Sequence, residues 1–449
     1  MLSREPAEHY GLAQRNYLSR SALAAFRRRI DPMDALRKAA RQHIAKLLPL
    51  KFKLMSSSPF VFFRGSVEIM AADLGEAKHT RIEVQICGDA HVKNFGFYAT
   101  PGSDIVLDVN DFDETMRGPW EWDVKRMATS IILAGRVAGG GDALCKDAAR
   151  TFIHEYCAWI RRFAGMPALD VARHRTVRNY KDPLIRAALK QAERSSPLSN
   201  LQKITRRKAG GGYSFIKSGL LWSVQGEERK AVLRALPDYR ATLTPEHQLL
   251  FDRFYAVDVA FKIVGTGSVG TRDYVVLFFG CDEKDPLFLQ IKEASPSAYA
   301  SYYKDRSSPR QQGQRVVRGQ RALQVSSDVL LGWCSIAGRD YLVRQLNDHK
   351  SSIEPEELRG KRLATYSRVC GELLAKGHAR SGTPMALAAY LGRSDKAERA
   401  LLQFGVHYAD QVEADHVAFR KALKHGFLDQ VMKVAQGKIA SGRRVKEGR

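Results

Sequence analysis

Residues 87–94 read Cys-Gly-Asp-Ala-His-Val-Lys-Asn, and residues 110–113 read Asn-Asp-Phe-Asp. A site that transfers a phosphoryl group needs one aspartate to align the acceptor hydroxyl. It also needs an amide and a second carboxylate to hold Mg²⁺ on the phosphates. Asp89 and Asn94 stand five positions apart, and Asp111 follows after a hairpin-like stretch. This order predicts residues 87–94 as a catalytic loop, with Asp89 as the catalytic residue. It predicts Asn94 and Asp111 as metal ligands.

Two acids follow the strand-like run 105–107, at Asp111 and Asp113. Carboxylates this close repel each other unless a cation lies between them. Asp113 is therefore a second candidate ligand beside Asp111. Structural roles stay open for the same residues, since Asp89 could cap a turn and Asn94 could supply a left-handed turn conformation.

A glycine-rich stretch, Gly265-Thr266-Gly267-Ser268-Val269-Gly270, fits the G-x-G-x-x-G pattern that dinucleotide-binding and kinase folds share. In a dinucleotide-binding fold this turn opens a helix. Here the following run, 273–280, is β-branched and aromatic, which predicts a strand. A glycine-rich loop between two strands is typical of kinases. Gly265, Gly267, Ser268 and Gly270 are the candidate phosphate-binding residues of the loop.

The next strand-like run, 287–293, places Lys292 where a kinase strand presents the lysine that binds the α- and β-phosphates. The nucleotide-binding part, about 245–350, thus follows the catalytic loop in sequence instead of preceding it. A circular permutation explains this order, because folds tolerate re-cutting at exposed loops. The helical pattern of 366–382, with His378 near its end, is then expected to meet the catalytic loop in space. The predicted fold is α+β, a circularly permuted two-lobe kinase-like fold with the catalytic lobe first.

Six stretches together carry a family resemblance: Phe63-Arg64-Gly65, CGDAHVKNFG, NDFDETMRGPWEWDVKR, GTGSVGTR, LFLQIKEA and GELLAKGHARSG. The chain resembles the bacterial family catalogued as domain of unknown function 2252 (DUF2252) over nearly its whole length. The catalytic core is similar to that of aminoglycoside and choline kinases. This resemblance implies Asp89 as the base, His91 as a second loop residue at the catalytic site, and Asp123 as the aspartate that braces the loop. It also implies ATP and Mg²⁺ as cofactors.

The chain departs from the kinase pattern at two places. Cys87 stands where those loops carry a histidine. The helix after Lys292, expected over 311–324, should offer a glutamate to that lysine, but it contains no acidic residue. Either a glutamine such as Gln320 holds Lys292, or an acid comes from elsewhere, or the lobe works differently. Gln345 ends the strand that would lead to the adenine-contacting hinge, and it is a further candidate for nucleotide binding.

Composition limits the partners. The net charge of +24 over 449 residues favours acidic partners such as nucleotides and phosphorylated metabolites. The basic segment 161–208 has three interpretations: a solvated surface, a phosphate funnel beside the site, or a nucleic-acid surface, which its few aromatic residues disfavour. The sequence contains no run of 18 or more apolar residues, so a membrane span is not expected. The six scattered cysteines predict reduced thiols in a cytoplasmic protein.

Residues 58–115 are expected to be rich in strands and to hold the catalytic loop, with Arg64 and Gly65 as candidates for the strand that leads into it, and a buried helix is expected after Trp122. The predicted organisation has five parts. They are an N-terminal helical segment (1–57), the catalytic half of the large lobe (58–165), a basic helical and glycine-rich insertion (166–240), the nucleotide-binding lobe (241–350), and C-terminal helices with a basic tail (351–449).

The expected function is an ATP-dependent phosphotransferase that acts on a hydroxyl acceptor, either a small molecule or a protein. Three alternatives stay open. The missing helix glutamate favours a non-catalytic nucleotide-binding protein or scaffold. The same fold with a flipped nucleotide would transfer AMP. A basic protein that binds nucleic acid is the third.

Overall fold

The structure, a computed structural model, describes residues 3–28, 30–102, 104–176, 182–263, 267, 269–346 and 350–437. Helix exceeds strand, at 56% against 15%, and the paired strands form several antiparallel sheets. The α+β class predicted from the sequence is therefore confirmed.

In the described part of the chain, the first and last elements are helices, and the strands lie between them in sequence. In the described residues the α-helices are α1 (Arg4–Tyr17), α2 (Pro32–Ala39), α3 (Leu48–Met55), α4 (Pro59–Gly65), α5 (Val67–Gly75), α6 (Trp120–Val137), α7 (Asp142–Ala164), α8 (Ala168–Arg173), α9 (Pro183–Arg194), α10 (Pro197–Ile204), α11 (Gly226–Arg234), α12 (Leu236–Arg240), α13 (Pro245–Phe251), α14 (Gln312–Leu323), α15 (Lys361–Ser381), α16 (Pro384–Leu391), α17 (Lys396–Lys424) and α18 (Phe427–Ala435).

Several helices begin with a capping side chain followed by proline. The side chains of Asp31, Ser58, Asp182 and Ser196 each accept a hydrogen bond from a backbone N–H of the first turn. Each is followed by proline at the first helical position, where the missing N–H has no intrahelical partner to lose. These dipeptides fix where α2, α4, α9 and α10 begin.

Within the described residues, the strands form one large sheet and three small ones. The strands are β1 (Glu83–Ile86), β2 (Phe95–Ala99), β3 (Ile105–Val109), β4 (Met116–Pro119), β5 (Thr205–Arg207), β6 (Tyr213–Phe215), β7 (Leu221–Ser223), β8 (Tyr255–Lys262), β9 (Asp273–Phe279), β10 (Pro286–Glu293), β11 (Gly332–Ile336), β12 (Arg339–Gln345) and β13 (Ser351–Ser352). The large sheet has six strands in the order β11-β12-β10-β9-β8-β7. β1 pairs with β4, β5 with β6, and β2 lies between β13 and β3.

The large sheet buries apolar side chains on one face and keeps polar ones near the centre of the other. On β10, Leu289 and Ile291 enter the apolar cluster that α11, α12 and α13 cover, here called the sheet core. Because side chains alternate along a strand, Gln290 and Lys292 point to the opposite face. Lys292 pairs in register with Asp273 on β9, so a carboxylate and an ammonium project from neighbouring strands on that face.

A second and larger apolar cluster, here called the helical core, is built mainly from α5, α6, α7, α15 and α17. Helix α3 belongs to both cores. Leu48, Phe52 and Met55 enter the helical core. Leu50 and Leu54, on the other face of α3, pack against the sheet core. The segment predicted as a separate N-terminal part (1–57) thus joins the two apolar cores.

One sequence-based expectation is wrong. Residues 58–115 were expected to be rich in strands, with Arg64 and Gly65 in the strand that enters the catalytic loop, but residues 59–75 form the helices α4 and α5. The reason is the start signal: Ser58 caps the first turn and Pro59 occupies its first position. Those signals outweigh the aromatic composition of the segment, which favours strand.

The other predicted elements are present. The strands on either side of the glycine-rich loop are β8 and β9, and the strand that ends near Lys292 is β10. The glutamine-rich helix is α14, and the buried helix near Trp122 is α6. The tail 442–449 lies outside the described residues.

Candidate functional site

The loop that begins at Cys87 follows β1, and one carboxylate holds its backbone. Asp123, on the first turn of α6, accepts hydrogen bonds from the backbone N–H groups of Cys87 (2.7 Å) and Gly88 (2.9 Å). Gly88 has φ +79°, and a Cβ there would lie 2.3 Å from the carbonyl oxygen of Glu114. Only glycine fits this turn, which presents Asp89 next.

A second layer of side chains holds Asp123. The Nε2 atom of His378 lies 3.2 Å from Asp123 Oδ2, and the hydroxyl of Tyr156 lies 2.8 Å from His378 Nδ1. All three side chains are buried. His378 is three residues from the end of α15, and Ser381 at that end accepts a hydrogen bond from the backbone N–H of Gln85 in β1 (3.0 Å). Helix α15 therefore ends beside the strand that leads into the loop, as the sequence led us to expect.

Asp89 lies between a buried arginine and a histidine. Arg126 Nε donates to Asp89 Oδ1 at 2.6 Å, and Arg126 Nη2 donates to the carbonyl oxygen of Phe63 at 3.1 Å. Asp89 Oδ2 lies 3.5 Å from Nε2 of His91. Burial raises the pKa of Asp89, and Arg126 opposes that rise. Burial lowers the pKa of His91 well below its usual value, so this imidazole is neutral at pH 7.

Backbone and side-chain bonds tie the segment of Asp111 to the catalytic loop. Asn94 Nδ2 donates to the carbonyl oxygen of Asp89 (2.7 Å), and the backbone N–H of Asn110 donates to the carbonyl oxygen of Asn94 (3.0 Å). The antiparallel pair β2 and β3 makes this return possible. Asp89, Asn94 and Asp111 are thereby brought together.

Lys292 reaches from the large sheet to the two acids. Its ammonium donates to Asp113 Oδ2 and lies 4.0 Å from Asp111 Oδ1, and the lysine is 3% exposed. Burial pushes the pKa of Asp111 upward, but Lys292 and Arg344 outweigh burial and lower it. Burial and the neighbouring Asp111 raise the pKa of Asp113. The pair therefore shares one lysine, with Asp111 the more readily ionised partner.

The glutamines of α14 do not take the place of the missing glutamate. Gln320 Nε2 donates to Gln324 Oε1 (3.0 Å), and Gln324 Nε2 donates to the carbonyl oxygen of Val109 (2.7 Å). The acid that holds Lys292 is Asp113, from the segment after β3. Gln345 bonds to Asp328, with its backbone N–H at 2.6 Å and its Nε2 at 3.0 Å. Gln320 and Gln345 line a small cavity of about 70 Å³ instead.

The glycine-rich loop is described only in part. Gly265 and Ser268 lie outside the described residues. Gly270 has φ +109°, its carbonyl oxygen accepts from the backbone N–H of Ile44 (2.7 Å), and a Cβ there would lie 2.3 Å from the ring of His43. Gly267 accepts a hydrogen bond at its carbonyl oxygen from Lys51 (3.5 Å). The N-terminal segment therefore holds the loop at both of its described glycines.

A cavity of about 340 Å³ opens where these parts meet. Its lining includes Asp89, Asp111, Asp113, Glu114, Gly267, Lys51, Arg64 and Glu68. Burial raises the pKa of Glu114 to about 7, although the backbone N–H of Ala298 donates to its carboxylate. One oxygen of Glu68, Oε2, is buried without a partner. The cavity lining thus includes Asp89, the two predicted carboxylate ligands and a buried carboxylate oxygen without a partner, whereas Asn94, His91 and Lys292 do not belong to it.

The described residues of the basic segment 161–208 do not line this cavity. None of the residues that line the two cavities described above comes from it. Arg206, Arg207 and Lys208 are exposed on and beside β5, and Arg175 pairs with Asp104 at the surface (3.0 Å). The positions of the charged residues that are described favour the interpretation of this segment as a solvated surface over its interpretation as a phosphate funnel beside the site.

Sequence reasoning missed Arg126, Lys51 and Glu114. Arg126 had a usable signal, because it stands three positions after Asp123 on a helix and shares its face. Lys51 had none, since it comes from a segment far along the chain from the glycine-rich loop that it contacts. Glu114 follows Asp113 directly and was hidden by the stronger metal-ligand pattern.

Two kinds of feature are absent from the described residues. No group of three or more histidine, cysteine, aspartate and glutamate side chains has an arrangement that could hold a metal ion. Likewise, no described helix combines the length and apolar character that crossing a membrane requires. All six cysteines are free thiols.

Comparison with known proteins gave one match. The model of a family described as "Uncharacterized protein conserved in bacteria (DUF2252)" matches residues 41–422. No curated protein and no solved structure matches the chain.

Proposed function

We propose that this chain, which belongs to the bacterial family DUF2252, is an ATP-dependent phosphotransferase with a circularly permuted kinase-like fold. The proposed acceptor is a hydroxyl group. One observation carries the proposal: the lysine at the end of β10 meets the acids that follow β3, with Lys292 Nζ 4.0 Å from Asp111 Oδ1. Two segments far apart in sequence thus meet, which supports a site where Lys292 binds phosphate beside the candidate metal ligands.

The contact between α15 and β1 supports the permutation. In a kinase order, the helix that ends at Ser381 would continue directly into the strand that begins at Glu83. Arg117 Nη1 donates to the carbonyl oxygen of Ser381 (2.9 Å), and the backbone N–H of Gln85 donates to its hydroxyl. A Cβ on Gly382 would lie 2.7 Å from Val84. The two ends are close enough for a short connection, as a permuted chain requires.

The donors present suit Mg²⁺. Carboxylate and amide oxygens are the ligands that this ion prefers. Asn94 uses its Nδ2 to hold the carbonyl oxygen of Asp89, which leaves its side-chain oxygen available. Asn94 and Asp111 would hold the ion, with Asp113 a second carboxylate shared with Lys292. Bound Mg²⁺ would neutralise charge on the phosphates.

In the proposed reaction Asp89 aligns the acceptor hydroxyl and accepts its proton at Oδ2. Arg126 occupies Oδ1 and fixes the plane of the carboxylate. Lys292 binds phosphate oxygens of the nucleotide. Positioning and charge neutralisation supply most of the acceleration in such a reaction, because the transition state is loose.

One observation favours a second candidate, a nucleotide-binding protein that does not catalyse. Helix α14 has no acidic residue, so Lys292 is held by Asp113, one of the two candidate metal carboxylates. If that ion pair persists when nucleotide binds, Asp113 is not available to a metal. Such a protein would bind ATP and form no product.

A thermal shift with ATP, with and without Mg²⁺, tests both candidates. Nucleotide at 100 times its Kd should stabilise the fold by about 2.7 kcal/mol. For the phosphotransferase we expect Mg²⁺ to increase the shift and Asp111→Asn to remove that increase. ADP release with water as the acceptor should vanish in the same variant. No shift with any nucleoside triphosphate would reject both candidates.

The products separate the remaining outcomes. Intact-mass analysis distinguishes the addition of phosphate from that of AMP, and AMP would replace the proposed reaction with nucleotidyl transfer. A Mg²⁺-independent shift without product would support the non-catalytic protein.

A further inference from the structure

Lys51 is a buried cation with uncharged partners. It is 4% exposed. Its ammonium lies 2.8 Å from Nε2 of His43 and donates to the carbonyl oxygen of Gly267 at 3.5 Å. His43 is neutral, because burial and Lys51 lower its pKa to about 3. An ammonium has three N–H donors, so these partners leave one donor for another group.

Arg64, at the end of α4, is only partly buried, and it too has no charged hydrogen-bond partner. Its Nε donates to Nε2 of His91 at 3.4 Å, a long bond to a neutral ring. Burial lowers the pKa of Arg64, although Asp89 and Asp111 act on it through space. Over the described part of the chain, no carboxylate lies within 4.0 Å of Arg64 or Lys51. A buried cation without an anion in direct contact is costly, which points to an anion that is bound when the protein works.

Three other cations near the catalytic loop are each paired with a carboxylate. Lys93, within the loop, pairs with Glu354 at 2.6 Å. Arg126 pairs with Asp89 at 2.6 Å, and Lys292 pairs with Asp113. Lys51 and Arg64 instead line the 340 Å³ cavity together with Asp89 and Asp111. Their unpaired charge therefore faces the space between the catalytic and metal-binding carboxylates.

We infer that Lys51 and Arg64 bind the terminal phosphate of the nucleotide during transfer to the acceptor. The inference rests on the proposed function and extends it, because it assigns a phosphate-binding role to two cations on α3 and α4 that face the cavity. In the transfer, the bond between the γ-phosphorus and the oxygen of ADP breaks, and a bond to the acceptor oxygen forms. The acceptor proton moves to Asp89, and the two cations balance the charge on the γ-phosphate oxygens.

Lys51 also links this role to the glycine-rich loop. The same ammonium that faces the cavity bonds to the carbonyl oxygen of Gly267. Ile44, from the same segment, bonds to Gly270. The N-terminal segment would thus hold the loop over the phosphates and contact the transferred group at the same time.

Nucleotide affinities measured by calorimetry test this inference. ADP lacks the γ-phosphate, so contacts to that group appear as tighter binding of Mg·ATP than of Mg·ADP. We expect Lys51→Met and Arg64→Gln each to weaken Mg·ATP binding by about tenfold, or ~1.4 kcal/mol. Mg·ADP binding should change by less than about twofold, a difference of only ~0.4 kcal/mol. Lys292→Met should weaken both nucleotides.

Matched variants keep the result interpretable. Lys53 is on the same helix as Lys51 but is exposed, so Lys53→Met should leave both affinities unchanged. Lys51→Arg and Arg64→Lys retain the charge and should recover part of the preference for ATP. They also carry the test if a neutral variant fails to fold.

The possible outcomes distinguish a failure of this inference from a failure of the proposed function on which it rests. If the parent binds both nucleotides and the neutral variants keep its ATP preference, the inference is overturned and the proposed function stands. In that case Lys51 serves only as a counter-ion for the nearby Glu68 and Glu114. If the parent binds neither nucleotide, the proposed function fails and the inference fails with it.

Discussion

The side chains around Asp123, behind the catalytic loop, have hydrogen-bond partners that several buried polar atoms on the other side of the loop do not have. Behind the loop, the oxygens of Asp123 and both ring nitrogens of His378 have partners at 2.7–3.2 Å. On the other side, one buried oxygen each of Glu68 at the 340 Å³ cavity, Asp273 on β9 and Gln320 at the 70 Å³ cavity has none. Buried polar groups without partners cost free energy. We therefore interpret the residues behind the loop as structural support and those in front of it as candidates for ligand binding.

Asp89 belongs to both sides, which makes it the sharpest test. Oδ1 faces Arg126 behind the loop, and Oδ2 faces His91. We expect Asp89→Asn to reduce the rate of ADP release by a factor on the order of 10²–10⁴, since a proton acceptor is lost. Nucleotide affinity should change little, because in the proposed reaction Asp89 contacts the acceptor and not the nucleotide.

The control for Asp89→Asn is folding, since the variant leaves Arg126 without its anion. Circular dichroism and the melting temperature establish that the variant is folded before rates are compared. Equal turnover in parent and variant would remove Asp89 from the mechanism.

Asp123 tests the back of the loop alone. Asp123→Ala leaves two buried backbone N–H groups and His378 without their acceptor. We expect the free energy of unfolding to fall by about 3–5 kcal/mol, the range for breaking a buried charged network. Urea denaturation measures the loss. Asp147→Ala is the matched control: its carboxylate is 65% exposed and pairs with Arg150 at 3.4 Å, so the loss should be about 0–1 kcal/mol. Similar losses in the two variants would contradict the brace.

How far the sequence predicts this molecule depends on the distance between partners. The hairpin before Asp111, the strand ending near Lys292 and the strands beside the glycine-rich loop follow from local alternation and turn residues. Asp123 was assigned from a family resemblance, and its bonds to Cys87 and Gly88 agree with that assignment. Each of these signals lies within a short stretch of chain.

What the sequence could not supply depends on long-range contacts. Lys51 meets Gly267 across 216 residues, and no local pattern connects the two. Asp113 was assigned to metal, yet its ion pair with Lys292 spans 179 residues. Residues 59–75 were misassigned because aromatic residues suit both a strand and a buried helix.

Asp273 tests the front of the cleft through pH. It is 1% exposed, and burial raises its pKa to about 7, although Lys292 and Gln290 oppose the rise. An acid whose folded pKa exceeds its unfolded value of about 3.9 binds more protons when folded. Its contribution to stability therefore falls as pH rises through that window and is constant above it.

We expect the parent to lose stability relative to Asp273→Asn between pH 5 and about 7, by at most about 1.4 kcal/mol per pH unit. Urea denaturation at pH 5, 6, 7 and 8 measures the difference. A constant difference over this range would show that Asp273 is ionised throughout. Its carboxylate would then belong with the buried groups that have hydrogen-bond partners.

The two glutamines of α14 and its C-cap give the smallest contrast, since one belongs to each class. Gln324 donates to the carbonyl oxygen of Val109 and accepts from Gln320, whereas Gln320 Oε1 has no partner. Methionine conserves the volume, so packing changes little in either variant. Gln324→Met leaves two buried groups unpaired and should cost about 1–3 kcal/mol. Gln320→Met removes an oxygen that is already unpaired and should cost about 1 kcal/mol less. If Gln320→Met is the more destabilising variant, its oxygen has a partner in solution and the small cavity beside it is filled.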